Sequence, residues 1–241
     1  SIVDVAMVGR LGTEALAATG MGSMMFWSAL SIALGIRTAV QTVAARRLGQ
    51  GLYSDSGIAL RNGLLMATVY ALPASILGST LSDSFVPFFI DDIEATPLTI
   101  DYVSIVFMGL LFSSYSFVFQ GFYTGIEKTK IHMVVTITSN LLNIYLNAGF
   151  IYGSEGIREF LLANFPSISF LSVLWQWVDF PAMGVKGAAV ATLIASVWMT
   201  AHYAVSLFSK DLQRVFSIFS ISFDKKMIVR QIKLALPQGL Q

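Results

Sequence analysis

The chain has 241 residues, of which 55% are hydrophobic and 12% charged, with a mean hydropathy of +0.71. That balance excludes the soluble globular class and reads as an integral, multi-pass membrane protein. A formal net charge of +1 gives no sign of a nucleic-acid partner, and the absence of cysteine excludes disulfides and thiolate metal sites.

Residues 1–8, SIVDVAMV, read as the tail of an apolar span already under way, and LALPQGLQ at the other end stops inside another. The expectation is a piece of a longer chain. GRLGTE follows as a tight loop whose glycines permit left-handed backbone. A second helix is predicted over Ala15–Ala45; it rises about 46 Å against a hydrocarbon core of roughly 30 Å, so it tilts or projects. Gly57–Ser79 is a third span with Pro73 as an expected kink. After an acidic, aromatic connection comes a fourth span, Tyr102–Gly125, ending in GFYTG, where Gly121 and Gly125 have the spacing that lets two helices approach closely.

GIEKTK turns the chain into a fifth span, Ile131–Gly153. A connection over about 154–183 follows, and within it Phe165–Val178 is apolar but too short to cross. With Trp175, Trp177 and Phe180 it reads as interfacial or re-entrant, because indoles settle at headgroup level. The sixth span, Gly184–Phe208, opens on a small-residue face of Gly184, Gly187, Ala188 and Ala191. Residues 209–226 are polar to amphipathic, and Met227 begins a seventh span. The loops after the second, fourth and sixth spans hold Arg46, Arg47, Lys128, Lys130, Lys210, Arg214, Lys225 and Lys226, whereas the others hold Arg10, Arg158 and Lys186. By the positive-inside rule the even loops are cytoplasmic.

Polar groups inside the spans are the candidate functional residues. Asn143 and Asn147, four apart in the fifth span, stack on one side of a helix and point two amide oxygens into one space. Asparagines also glue membrane helices together, so the pair alone leaves both readings open. Asp4 is the one carboxylate within a predicted span and away from its ends; burial there costs about 2.5–3.5 kcal/mol on the insertion scale, which marks it as functional. Arg37 either snorkels to the surface or lines a cleft with Gln41. Tyr115, Gln120 and Tyr123 either line a cavity or satisfy neighbouring helices. Met21, Met24 and Met25 read as packing. His132 and His202 lack a second ligand at metal spacing, so zinc is not expected.

The runs DVAMVGRLGTEALAATG, GIRTAVQTVAARRLGQG, GFYTGIEKTK, SNLLNIYLNAGFIYG and FPAMGVKGAAVAT resemble, in order and at nearly family spacing, the signature runs of the multidrug and toxic compound extrusion (MATE) family. The resemblance covers essentially the whole chain. It implies twelve helices in two pseudo-symmetric six-helix lobes around a central cleft, of which this chain resembles the N-terminal lobe and the first turns of helix seven. It also implies an alternating-access antiporter that expels drugs and organic cations in exchange for sodium or protons, with no cofactor. Asp4 matches the family's acid in helix one, Asn143 its helix-five asparagine, and Thr192 its helix-six threonine. Asn147 falls where some members place a second acid, which lowers the formal negative charge of the site from two to one and leaves the coupling ion open.

The resulting expectation is an all-α, polytopic transmembrane bundle with a lobe over 1–208, an inter-lobe loop over 209–226, and the start of helix seven over 227–241. The 154–183 insertion is expected at the outer mouth. One carboxylate, two amide oxygens and a hydroxyl suit a hard cation such as sodium, whereas Asp4 alone suits a proton, since burial favours the neutral acid. Gln41, Tyr115 and Gln120 are the weaker candidates for the drug cleft. The complete protein is expected to be monomeric, surrounded by membrane lipid of the plasma membrane, and to bind small-molecule drugs. A lipid or lipid-linked sugar flippase is the alternative within the superfamily. An intramembrane enzyme is disfavoured, because no HExxH, paired aspartates or Gly-x-Ser-x-Gly run occurs inside the spans.

Overall fold

The computed structural model describes residues 6–164, 166–220 and 223–239, which form helices and turns with no strand among them. Four helices are long and apolar enough to cross a bilayer: α1 (Thr13–Gly49), α2 (Tyr53–Thr80), α5 (Thr129–Asn164) and α6 (Val185–Ser206). Gly12, at φ 122°, supplies the turn before α1, and Pro73 is carried inside α2. Two shorter helices, α7 (Lys210–Phe216) and α8 (Lys225–Gly239), follow α6.

The expected fourth span requires correction. Instead of one helix over Tyr102–Gly125 there are two, α3 (Ala95–Met108) and α4 (Leu110–Gly125), bent by 47° at Gly109. Hydropathy is unbroken through Met108 and Leu110, so only the weak helix former between them marks the break. The helix also begins earlier than the apolar run. Asp92 Oδ1 accepts the backbone N–H groups of Glu94 and Ala95 at 2.8 and 2.9 Å, capping α3 from an exposed loop. Those two N–H groups hold the Asp92 carboxyl below the usual carboxylate range.

The connection over 154–183 is also more ordered than expected. At Gly153 the backbone turns to φ 75°, ψ 165°, and helix resumes over 154–164 with Ile157 buried. A 3-10 helix, Pro166–Trp175, follows. Trp175 donates Nε1–H to the Tyr145 carbonyl at 2.8 Å and stacks on the Tyr145 ring at 5.2 Å, whereas Trp177 is 84% exposed. The expected interfacial segment is thus pinned to α5 by one of its two indoles.

Contacts divide the chain into two compact units, residues 1–26, 77–108 and 140–195, and residues 27–76, 109–139 and 196–241. In the first, Phe107 meets Phe26 and Phe85 edge-on and lies against Gly78. A Cβ on Gly187 would run into the Phe150 carbonyl, so α6 crosses α5 with backbone nearly touching backbone, and Leu146, Phe180 and Ala191 fill the crossing. Lipid tails are as apolar as these side chains, so close small-residue packing holds the helices.

In the second unit, Val40, Leu60, Val118, Phe122, Tyr123 and Tyr203 form a fully buried core. The Gly121 and Gly125 spacing acts as expected: Gly121 lies on the Arg37 carbonyl, and a Cβ on Gly125 would sit 2.8 Å from that of Gln41. The segment after α6 is gripped by α2. Arg61 Nη1 donates to the carbonyls of Ser217 and Ile218 at 2.7 and 3.1 Å, Asn62 Nδ2 to that of Asp224 at 3.3 Å, and Gln231 Nε2 to that of Ala59 at 3.0 Å.

Candidate functional site

Asn143 and Asn147 occupy the stretch of α5 before the Gly153 break, and the helical repeat sets them one above the other. Asn147 is fully buried, and its Nδ2 donates to Asn143 Oδ1 at 3.1 Å. An amide oxygen has two lone pairs, so Asn143 Oδ1 keeps acceptor capacity beyond this bond. Thr192, half-buried on α6, donates its hydroxyl to the Ala188 carbonyl at 2.9 Å. Its neighbour Ala191 packs on Leu146, the residue before Asn147, so the two helices meet beside both polar groups.

Asp4 lies outside the described residues. Three positions later, the Met7 carbonyl accepts the Tyr152 hydroxyl at 2.6 Å, which ties the start of the chain to α5. Tyr152 in turn stacks on Phe160, and the Arg10 guanidinium lies 4.5 Å from the centre of the Phe160 ring. An ion pair, Lys186 Nζ to Asp101 Oδ2 at 3.1 Å, joins the start of α6 to α3. Among the described residues, no group of three or more His, Asp or Glu side chains is placed to hold a metal ion.

The weaker cleft candidates lie in the second unit. Tyr115 OH bonds Thr68 Oγ1 at 2.8 Å, and Gln120 Nε2 lies 2.6 Å from His132 Nε2. Gln41 is half-buried, its backbone under Gly125. An apolar cavity of about 430 Å³ between α1, α2 and α8, lined by Ile32, Ile36, Leu65, Val69, Ile232 and Leu236, includes none of the three.

One polar centre was not visible in the sequence. His132 joins α5 to α4 through Gln120 and to α6 through the Tyr203 hydroxyl, with Thr136 Oγ1 a turn along at 3.2 Å. Tyr203 is fully buried; its ring stacks with those of Phe119, Tyr123 and His132 at 5.8, 5.7 and 6.3 Å. The helical repeat links His132 to Thr136, but nothing in the spacing links it to Tyr203.

The MatE family model matches residues 1–148, a continuous run that includes Asn143 and Asn147. The chain belongs to the MatE family. Among curated MatE relatives, a probable multidrug resistance protein NorM of Photorhabdus laumondii is 28% identical over all of this chain and 48% of its own length. A probable NorM of Synechococcus is 30% identical over 74% of this chain and 38% of its own. The chain therefore spans about half the length of the first relative and less of the second. Among solved structures, a multidrug resistance MATE family transporter of the MOP superfamily, in its outward-facing conformation, aligns at a TM-score of 0.79 and 23% identity, covering 99% of this chain and 47% of that one. A MOP superfamily transporter from Pyrococcus furiosus, described as having a binding pocket of reverse polarity, aligns at 0.80 and 23% identity over the same shares. The fold is that of a MatE transporter, an integral membrane protein and not an enzyme.

Proposed function

We propose that the full-length protein carries out secondary active efflux of small-molecule drugs or organic cations, exchanging them for sodium or protons by alternating access. The observation that carries this reading is the Asn143–Asn147 pair: two amides joined at 3.1 Å, one of them fully buried, inside a membrane-spanning helix of a MatE fold. Amides in such a place carry a desolvation cost that a bound ion offsets. Asp4 supplies the charge in this scheme, and Asn143, Asn147 and Thr192 supply neutral oxygens. The tether from Tyr152 to Met7 supports a shared site, since it fixes the chain close in sequence to Asp4 against the helix that carries the amides. Neutralising Asp4 by ion or proton lets its helix pack more closely, and drug release is coupled to that switch.

The reading extends to a monomer in the plasma membrane with Arg46, Lys128 and Lys210 on the cytoplasmic side, and to residues 1–208 as one lobe with 154–183 at its outer mouth. The test is uptake or efflux of a fluorescent cationic drug in vesicles holding the full-length protein, with sodium and proton gradients imposed separately. A sodium-driven flux supports the oxygen cage, and a proton-driven flux supports Asp4 protonation with the amides as packing. Flux under neither gradient overturns drug antiport and leaves the flippase reading, which scrambling of a labelled lipid in the same vesicles then measures.

A further inference from the structure

Where α1 ends and α8 begins, the second unit holds a cavity of about 270 Å³ whose rim is cationic. Arg46 and Arg47 reach it from the last turn of α1, and Lys226 and Arg230, one helical turn apart, reach it from α8. Arg47 is already engaged, by Asp55 Oδ2 at 3.5 Å and by Gln50. For Arg46, Lys226 and Arg230, no carboxylate lies within ion-pairing distance among the described residues. The one acid on the cavity wall, Asp224, spends Oδ1 on the backbone N–H groups of Lys226 and Met227, at 2.8 and 3.2 Å, as the cap of α8. Three positive side chains thus line the cavity with a single carboxylate, itself engaged as a cap, and like charges a turn apart repel.

This wall is fixed from behind. Asn62 and Gln231 are both fully buried; the first holds the Asp224 carbonyl and the second ties the next turns of α8 to the Ala59 carbonyl. The base of the cavity is apolar, with Val43, Met227 and Leu234, and α8 continues with exposed Val229 and with Ile232 and Leu236 on the wall of the apolar cavity it shares with α1 and α2. A helix that is basic beside one cavity and apolar beside another suits the boundary between headgroups and acyl chains. The basic last turn of α1 is where that span is expected to reach headgroup level.

We infer that this cavity binds the phosphate headgroup of an anionic membrane lipid. Arg46, Lys226 and Arg230 receive the phosphate oxygens, Val43 and Met227 meet the glycerol end, and the acyl chains run along Val229 and Ile232. A soluble phosphate satisfies the three cations but leaves that apolar face uncovered, so the lipid is the occupant that accounts for both surfaces. The site is separate from the Asn143–Asn147 pair, and its occupancy is measured without any transport.

The test is native mass spectrometry of the full-length protein in detergent, with phosphatidylglycerol or phosphatidylcholine added. The expected result is one retained phosphatidylglycerol, lost with about a 25-fold fall in affinity in the Arg46→Gln/Arg230→Gln variant, at about fivefold for each charge removed. The Lys225→Gln/Lys233→Gln variant, which removes two charges of the same helix outside the cavity, should keep it. Lys226→Gln alone, with an expected loss of about fivefold, gives the same reading if the double variant does not fold. Equal retention of phosphatidylcholine, or equal loss in the Lys225/Lys233 variant, overturns the site. Displacement of the lipid by equimolar inorganic pyrophosphate overturns the assignment to lipid in favour of a soluble anion.

Discussion

The amide pair of the first compact unit and the polar side chains of the second are bonded in different ways. In the unit that carries Asn143 and Asn147, the bond between the two amides runs along one helix. In the other, polar groups bridge different helices: Thr68 to Tyr115, Ser113 to Ser196, Ser116 to Thr200, Thr138 to His202, and His132 to both Gln120 and Tyr203. Cross-helix bonds of this kind hold a membrane bundle together, each contributing about 0.6 kcal/mol on average and up to about 1.7. A bond within one helix adds nothing to the association of helices. The proposed reading gives the amide pair to ion coupling, and the cross-helix bonds give the His132 network to stability.

The largest expected effect tests the first half of that statement. Asn147→Leu should lower drug flux in the full-length protein by about 10- to 100-fold, the range for losing a group that orients an ion ligand. Its melting temperature should stay close to the parent's. A melting point that falls as far as that of His132→Leu makes Asn147 structural and breaks the comparison. Next in size, His132→Leu leaves Gln120 and the Tyr203 hydroxyl without a partner they now have, and should destabilise by about 1–3 kcal/mol in detergent unfolding. A double-mutant cycle with Tyr203→Phe sharpens this result: the coupling should be about 0.5–1.7 kcal/mol, and a coupling of zero removes the network from the stability account. The smallest effect belongs to the Lys186–Asp101 pair, whose side chains are 50% and 37% exposed. Lys186→Gln should change unfolding by no more than about 1 kcal/mol, and by less in high salt.

The sequence made legible what depends on neighbours three or four positions apart. The joint face of Asn143 and Asn147, the close approach at Gly121 and Gly125, and the small-residue contact at Gly187 all follow from the helical repeat. The bend at Gly109 was hidden because apolar residues continue on both sides of it, so hydropathy reads through. The helix over 154–164 was hidden because Ser154, Glu155, Gly156 and Arg158 look like loop; Ile157 is the residue that buries itself and gives the segment a reason to fold. The His132 network depends on partners from three helices, and Tyr203 lies far along the chain, beyond what any local spacing encodes. The cavity beside Arg46 and Arg230 required the same long-range information, since its two walls come from opposite ends of the chain.

The break at Gly153 carries a consequence for how this protein tolerates change. Directly after it, the Ser154 N–H bonds the Phe180 carbonyl at 3.2 Å, and Phe180 N–H returns to Ser154 Oγ at 2.9 Å. The intervening stretch, helix over 154–164 and the 3-10 helix Pro166–Trp175, thus leaves and returns at two feet stapled together, and lengthening the irregular residues after Trp175 costs only about 0.6 kcal/mol for each doubling of length. Residues inserted beside exposed Trp177, past the Trp175 pin, should lengthen the connection without moving the feet. For an experimenter this is a place to install an epitope or a fluorescent reporter while the helix bearing Asn147 keeps its register.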